Sequence, residues 1–160
     1  MKSEITLQFL SAPTDINYGG KVHGGMVMKW IDQAAFACAS QWSQSYCVTV
    51  YVGGIRFYDP IHIGNIVKTH AYIIYTGKTS MHIAVDVFSK GVREEEFTKN
   101  THCIVVFVSV DQSGNPVDVL PWVPKNEKEE RLRNYAIKLM ELRKSVEDEM
   151  KPYLESTIES

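Results

Sequence analysis

Asp32 is the residue most at odds with its surroundings. It lies within the segment 26–40, which has neither glycine nor proline and is crowded with Met, Ala, Trp, Ile and Phe. An ionised carboxylate inside so apolar a helix must be hydrogen-bonded, paired or open to a cavity, because burying it bare costs several kcal/mol. A carboxylate kept at such a place can work as a general base or as a nucleophile. The plainer reading is a boundary Asp with Lys29 or Gln33 beside it at the surface. Upstream, Asn17 begins the loop Asn17-Tyr18-Gly19-Gly20, and Gly24-Gly25 leads into the apolar segment. A side-chain amide before a glycine turn and a helix start gathers N–H donors and the positive helix end in one place. That setting can hold an anion or a developing oxyanion, although Asn and Gly also occur simply as turn formers. His23 is either a proton carrier or a residue that caps and orients the loop.

Other chemistries find no support in the 160 residues. His62, His70, His82 and His102 are scattered without metal-ligand spacing, so no metal is expected. There is no GxSxG elbow, GxGxxG or P-loop, which argues against a serine hydrolase of that type, dinucleotide redox chemistry and nucleotide hydrolysis. A net charge of -2 gives no general attraction to nucleic acid or anionic lipid. Three cysteines, Cys38, Cys47 and Cys103, each sit in an apolar stretch as small hydrophobes, which points to a reducing compartment. With no signal-peptide pattern and no 18-residue apolar run, the expectation is a cytoplasmic protein off the membrane. Composition, 44% hydrophobic and 22% charged, is that of an ordinary globular chain.

The elements that must position Asn17 and Asp32 follow from periodicity. Residues 4–10 alternate as a first strand, and 26–40 form a helix apolar on nearly every side, which is normally buried on most sides. The period then changes to two: strands are expected at 46–58, 66–75, 80–88 and 97–110. Gly53-Gly54 marks a bulge or a close backbone approach in the first of these, and Gly77-Lys78 a hairpin turn. Residues 126–151 form a charged amphipathic helix bounded by Pro152. A helix this hydrophobic needs a curved antiparallel sheet around it, an α+β architecture. One domain, 1–124, carries the candidate chemistry, and 125–160 is a charged helical extension.

The segment Asn17-Tyr18-Gly19-Gly20-Lys21-Val22-His23-Gly24-Gly25, followed by 26–32, resembles the active-site signature of hotdog-fold acyl-CoA thioesterases. The nearer branch is the acyl-CoA hydrolase group of YciA-type bacterial enzymes and cytosolic long-chain animal enzymes. Residues 48–50 and 55–64 resemble that family's second strand and turn, 76–81 its next hairpin, and 107–116 its last strand. The likeness spans about residues 5–125, with a weaker echo at 127–135. Gly19 stands where bacterial members often have a second Asn, and His23 where they have an aromatic, so a short-chain preference is not implied.

The resemblance implies a hotdog fold that hydrolyses fatty acyl-CoA to free acid and CoA, with no cofactor beyond the substrate's own CoA. Asn17 of one subunit and Asp32 of another would complete each site across a dimer interface, with N–H groups at Gly24 and Gly25 holding the oxyanion. Arg56, Lys78, Thr79 and Ser80 would contact CoA. A homo-oligomer is implied, a dimer at least and a trimer of dimers by family pattern. The alternatives are a hotdog protein that binds acyl-CoA without cleaving it, as a sensor, and a hotdog dehydratase using His23.

Overall fold

The computed structural model describes residues 2–155. Its elements are β1 (Glu4–Leu10), α1 (Gly24–Ser43), β2 (Tyr46–Phe57), β3 (Ile66–Thr76), β4 (Ser80–Lys90), β5 (Thr98–Val110) and α2 (Glu127–Glu155). Two compact units result: one, up to Trp122, holds the five strands and α1, and the other, from Val123, holds α2. The strands form a single antiparallel sheet in the order β1-β3-β4-β5-β2, with β1 and β2 at its edges. Strict alternation sends Val67, Thr69, Ala71 and Ile73 of β3 to the same side as Met81, Ile83, Val85 and Val87 of β4. Onto that side α1 packs lengthwise, touching all five strands. Ala34, Ala35, Cys38 and Ala39 are fully buried; such short side chains let the helix backbone approach the sheet closely.

Two expectations change. The helix is not sheathed on most sides: Met28 is 46% exposed, Phe36 is 36% exposed, and Asp32 lies between them at helical spacing. Five strands cover one side of a helix, and β2, the last of them, leaves its outer edge unpaired. The C-terminal helix is not bounded by Pro152, which lies inside α2. Proline there forfeits a single N–H bond near the helix end, where fewer turns depend on it. The bulge expected at the glycine pair is present, since the β2–β5 register shifts between Gly53 and Arg56. Gly54 has φ +72°, a conformation that side-chain-bearing residues rarely adopt.

On the face away from α1, register partners align Thr6, His70, Asp86, His102 and Arg56 across all five strands. Asp86 is buried and accepts hydrogen bonds from the Tyr72 hydroxyl at 2.9 Å and, at 2.7 Å, from His102 Nδ1; Lys99 Nζ lies 3.1 Å away. Burial alone would raise its pKa. The bonds from His102, Lys99 and Tyr72 outweigh that and hold it down at about 2. A carboxyl depressed below its unfolded value stabilises the fold above that value and loses the contribution as pH falls through the folded pKa. Asp86→Asn is therefore expected to cost about 2 kcal/mol at pH 7. In urea unfolding the gap from the unaltered protein should close as pH drops from near 4 toward 2.

Candidate active site

The loop before α1 is built by its own backbone. Asn17 N–H donates to Lys21 O at 2.7 Å, and Gly20 N–H donates to Asn17 O at 3.1 Å. The Asn17 side-chain oxygen accepts from Gly19 N–H at 2.9 Å and more distantly from Lys21 N–H at 3.4 Å. Gly20, at φ +76°, allows the chain to reverse there. With its oxygen so engaged, Asn17 has its NH2 as the donor left for a ligand. His23 is the N-cap of α1: its Nδ1 accepts from Gly25 N–H at 2.8 Å. A Cβ on residue 25 would come within 3.0 Å of that nitrogen, so Gly25 makes room for the cap. Between the two readings of His23, the structure shows the cap.

Asn17 and Gly24 share one cavity of about 360 Å³, whose apolar wall includes Val27, Phe57 and Tyr58. The far side of this cavity is held from β5. Tyr58 N–H donates to Asn100 O at 2.9 Å, Asn100 Nδ2 to Asp59 O at 3.1 Å, and the Thr101 hydroxyl to Arg56 O. Gly24, at the first helical position, has no intrahelical acceptor for its N–H, so that N–H can meet a ligand in the cavity. The N–H of Gly25, the other expected donor, donates to His23 Nδ1.

Asp32 is not in this cavity. Eight residues beyond Gly24 at 1.5 Å per residue place it about 12 Å further along the helix axis. It is half-buried on the open side of α1, and its partner is neither Lys29 nor Gln33: the Thr49 hydroxyl of β2 donates to Asp32 Oδ1 at 2.9 Å. Thr49 was not singled out from the sequence, where it is one residue of an alternating strand. Only the packing of β2 against α1 brings it to the carboxylate. Asn100 and Thr101 were missed for the same reason, since their partners lie some forty residues earlier in the chain.

The four expected CoA contacts do not gather in one chain. Arg56 is exposed, and its guanidinium lies 5.6 Å from the centre of the Tyr58 ring at the cavity wall. Lys78, Thr79 and Ser80 form the β3–β4 turn, closed by Gly77 N–H to Ser80 O at 3.0 Å. Arg56 pairs with His102 of β5 and Ser80 with Val108, which at 3.4 Å per residue sets the two groups about 20 Å apart. Cys38, Cys47 and Cys103 are buried free thiols. Burial, with the charge of Glu4 adding to it, pushes Cys38 up to about 12, and burial pushes Cys103 up to about 11. Neither supplies a thiolate nucleophile.

An antiparallel sheet packed on one long helix is the hotdog fold, here with an amide-bearing loop at that helix's N-terminus and a carboxylate on its open side. The thioesterase superfamily model matches residues 19–96. Protein VdlD of Helicobacter pylori is 30% identical over 142 residues, 89% of this chain and 81% of its own. A Buchnera aphidicola protein described as an uncharacterized acyl-CoA thioester hydrolase is 34% identical, over 76% of this chain and 92% of its own. Among solved structures, an apo-hexameric acyl-CoA thioesterase superimposes with a TM-score of 0.84 at 31% identity, covering 89% of this chain and 91% of that one. An acyl-CoA hydrolase of Staphylococcus aureus, solved with butyryl-CoA and CoA, gives 0.86 at 26% identity, over 95% and 93%. The chain belongs to the thioesterase superfamily, with the acyl-CoA thioester hydrolases.

The Thr49–Asp32 bond generates a direct test. Thr49→Val removes a hydrogen bond to a charged group, about 1.5–3 kcal/mol, and leaves the apolar packing of β2 nearly unchanged. Thioester turnover is expected to fall roughly 10- to 100-fold, with the melting temperature shifted by only a few degrees. Unchanged turnover would show that Thr49 does not orient Asp32 for the reaction.

Proposed function

We propose that the protein hydrolyses fatty acyl-CoA to the free acid and CoA at sites completed across a dimer interface. The observation that carries this reading is the separation within one chain. The cavity with Asn17 and the helix N-terminus lies about 12 Å along α1 from Asp32, and the carboxylate stands on an open face. That face continues into apolar surface: Met28 and Phe36 flank Asp32, and Val50 and Val52 of β2 are about half exposed beside an unpaired strand edge. Such a patch on an edge strand is the surface a second copy would cover. Covering it would bring the Asp32 of one copy toward the Asn17 cavity of the other.

Further support comes from relatives. Solved variants of the Staphylococcus aureus hydrolase carry alanine in place of an Asn, an Asp and a Thr. These stand in the order and at the intervals along the chain that Asn17, Asp32 and Thr49 have here. Hexameric assembly is described for several of the similar thioesterases, among them that of Yersinia pestis, and a trimer of dimers is proposed for this chain.

In the reaction, the thioester carbonyl oxygen accepts hydrogen bonds from Gly24 N–H and the Asn17 NH2, which stabilise the oxyanion as it forms. Asp32 removes a proton from a water that adds to the carbonyl carbon, and collapse expels the CoA thiolate, which takes up that proton. Direct attack by Asp32 to give an anhydride, later hydrolysed, uses the same residues. Water is the co-substrate, and no metal or redox cofactor enters. Val27, Phe57 and Tyr58 supply apolar surface for the acyl chain, and Arg56, Lys78, Thr79 and Ser80 of different copies meet the CoA. A cytoplasmic location fits a CoA-dependent substrate.

Free-thiol release across acyl-CoAs from acetyl to palmitoyl is expected, with Asp32→Ala and Asn17→Ala each lowering it by two orders of magnitude or more. Binding of acyl-CoA without release would instead identify a sensor. Mixing the two inactive variants after subunit dissociation and reassembly should restore about a quarter of the sites, since only half the dimers are mixed and each has one intact site. No recovery would place both residues in one chain's site.

A further inference from the structure

Beyond the catalytic unit, α2 carries an apolar stripe of its own. Tyr135, Leu139, Leu142, Val146, Met150 and Tyr153 fall within a strip roughly 80° wide at 3.6 residues per turn. From Leu142 onward this strip is open to solvent: Val146 is 55% exposed and Tyr153 is 82% exposed. Ala136, Ile137 and Met140 give α2 a second apolar face that is buried or half-buried, whereas an exposed apolar strip such as this one marks an interaction surface.

The spacing and the charges say what it meets. Counting outward from Val146, the stripe is symmetric: Leu142 and Met150 lie four residues away on either side, Leu139 and Tyr153 seven. A two-fold antiparallel pair of identical helices requires this property, because residues equidistant from the axis meet each other. Charge along α2 runs the same way. The stretch 131–144 holds Arg131, Arg133, Lys138, Arg143 and Lys144 against one Glu, whereas 147–149 is Glu147-Asp148-Glu149. In an antiparallel pair centred on Val146, Arg143 shares a flank with Glu147 of the other copy, about 3 Å away along the axis, in addition to the Glu147 of its own chain 3.3 Å from its Nε. A parallel pair would set each acidic run against itself, which is unfavourable. The same acidic run also disfavours an anionic bilayer surface as the occupant.

We propose that α2 is an assembly surface that pairs antiparallel with α2 of a second copy, with Val146 on the two-fold axis. The residues involved all belong to α2. Engineered cysteines test it in the full-length protein, where the native thiols are buried. Under mild oxidation Val146→Cys should give a covalent dimer on a non-reducing gel. Lys144→Cys, on the opposite face, should not. Leu142→Cys alone should not cross-link either, because its copies would sit about 12 Å apart along the axis, whereas the double variant Leu142→Cys/Met150→Cys should. Absence of cross-linking at Val146 would overturn the pairing. Cross-linking of Leu142→Cys alone as fast as Val146→Cys would overturn the antiparallel register.

Discussion

Everything in the catalytic unit depends on how α1 lies against the sheet. One helix supplies the core, through Ala34, Ala35, Cys38 and Ala39, and also presents the candidate groups, its N-terminal amide and Asp32. A helix buried equally on all sides could do the first but not the second. A five-stranded sheet covers only one side, so the same packing that makes the core leaves Met28, Asp32 and Phe36 facing outward. The carboxylate escapes the cost of burial at the expense of standing apart from the Asn17 cavity of its own chain.

Strand β2 couples the two halves of the site. At its start, Thr49 fixes the Asp32 carboxylate; at its end, Phe57 and Tyr58 wall the cavity. Asn100 and Thr101 of β5 tie down that end, so the cavity wall is positioned by the sheet and not by the loop. The bulge around Gly54 between these two regions adjusts the bend of the strand. His23, capping α1 through Gly25, orients the first turn so that Gly24 lines the cavity. Local hydrogen bonding and long-range strand pairing therefore meet at the same few ångströms of surface.

Much of this was determined by the sequence alone. Period-two alternation located all five strands to within about two residues, and an unbroken apolar run marked α1. Both signals are local consequences of side-chain direction on a strand or helix. Asn17 and Asp32 stood out because an amide in a glycine loop and a carboxylate in an apolar helix are individually anomalous. The glycines were legible as loop formers, but not which N–H each would leave available.

Tertiary structure decided the rest. That Thr49 bonds Asp32, that His23 takes the Gly25 N–H, and that Asn100 pins the cavity wall all depend on pairs brought together by packing, or on a ring orientation that no spacing encodes. So does the open side of α1: an apolar helix reads as buried on most sides, and only the count and order of the strands show which side they cannot reach. Pro152 within α2 belongs here too, because a proline forfeits one N–H bond and crowds the preceding turn, and the sequence does not say that the helix runs three residues past it. Residue type and spacing determine which groups are capable of chemistry. Which of them share a cavity is settled by contacts between residues far apart in the chain.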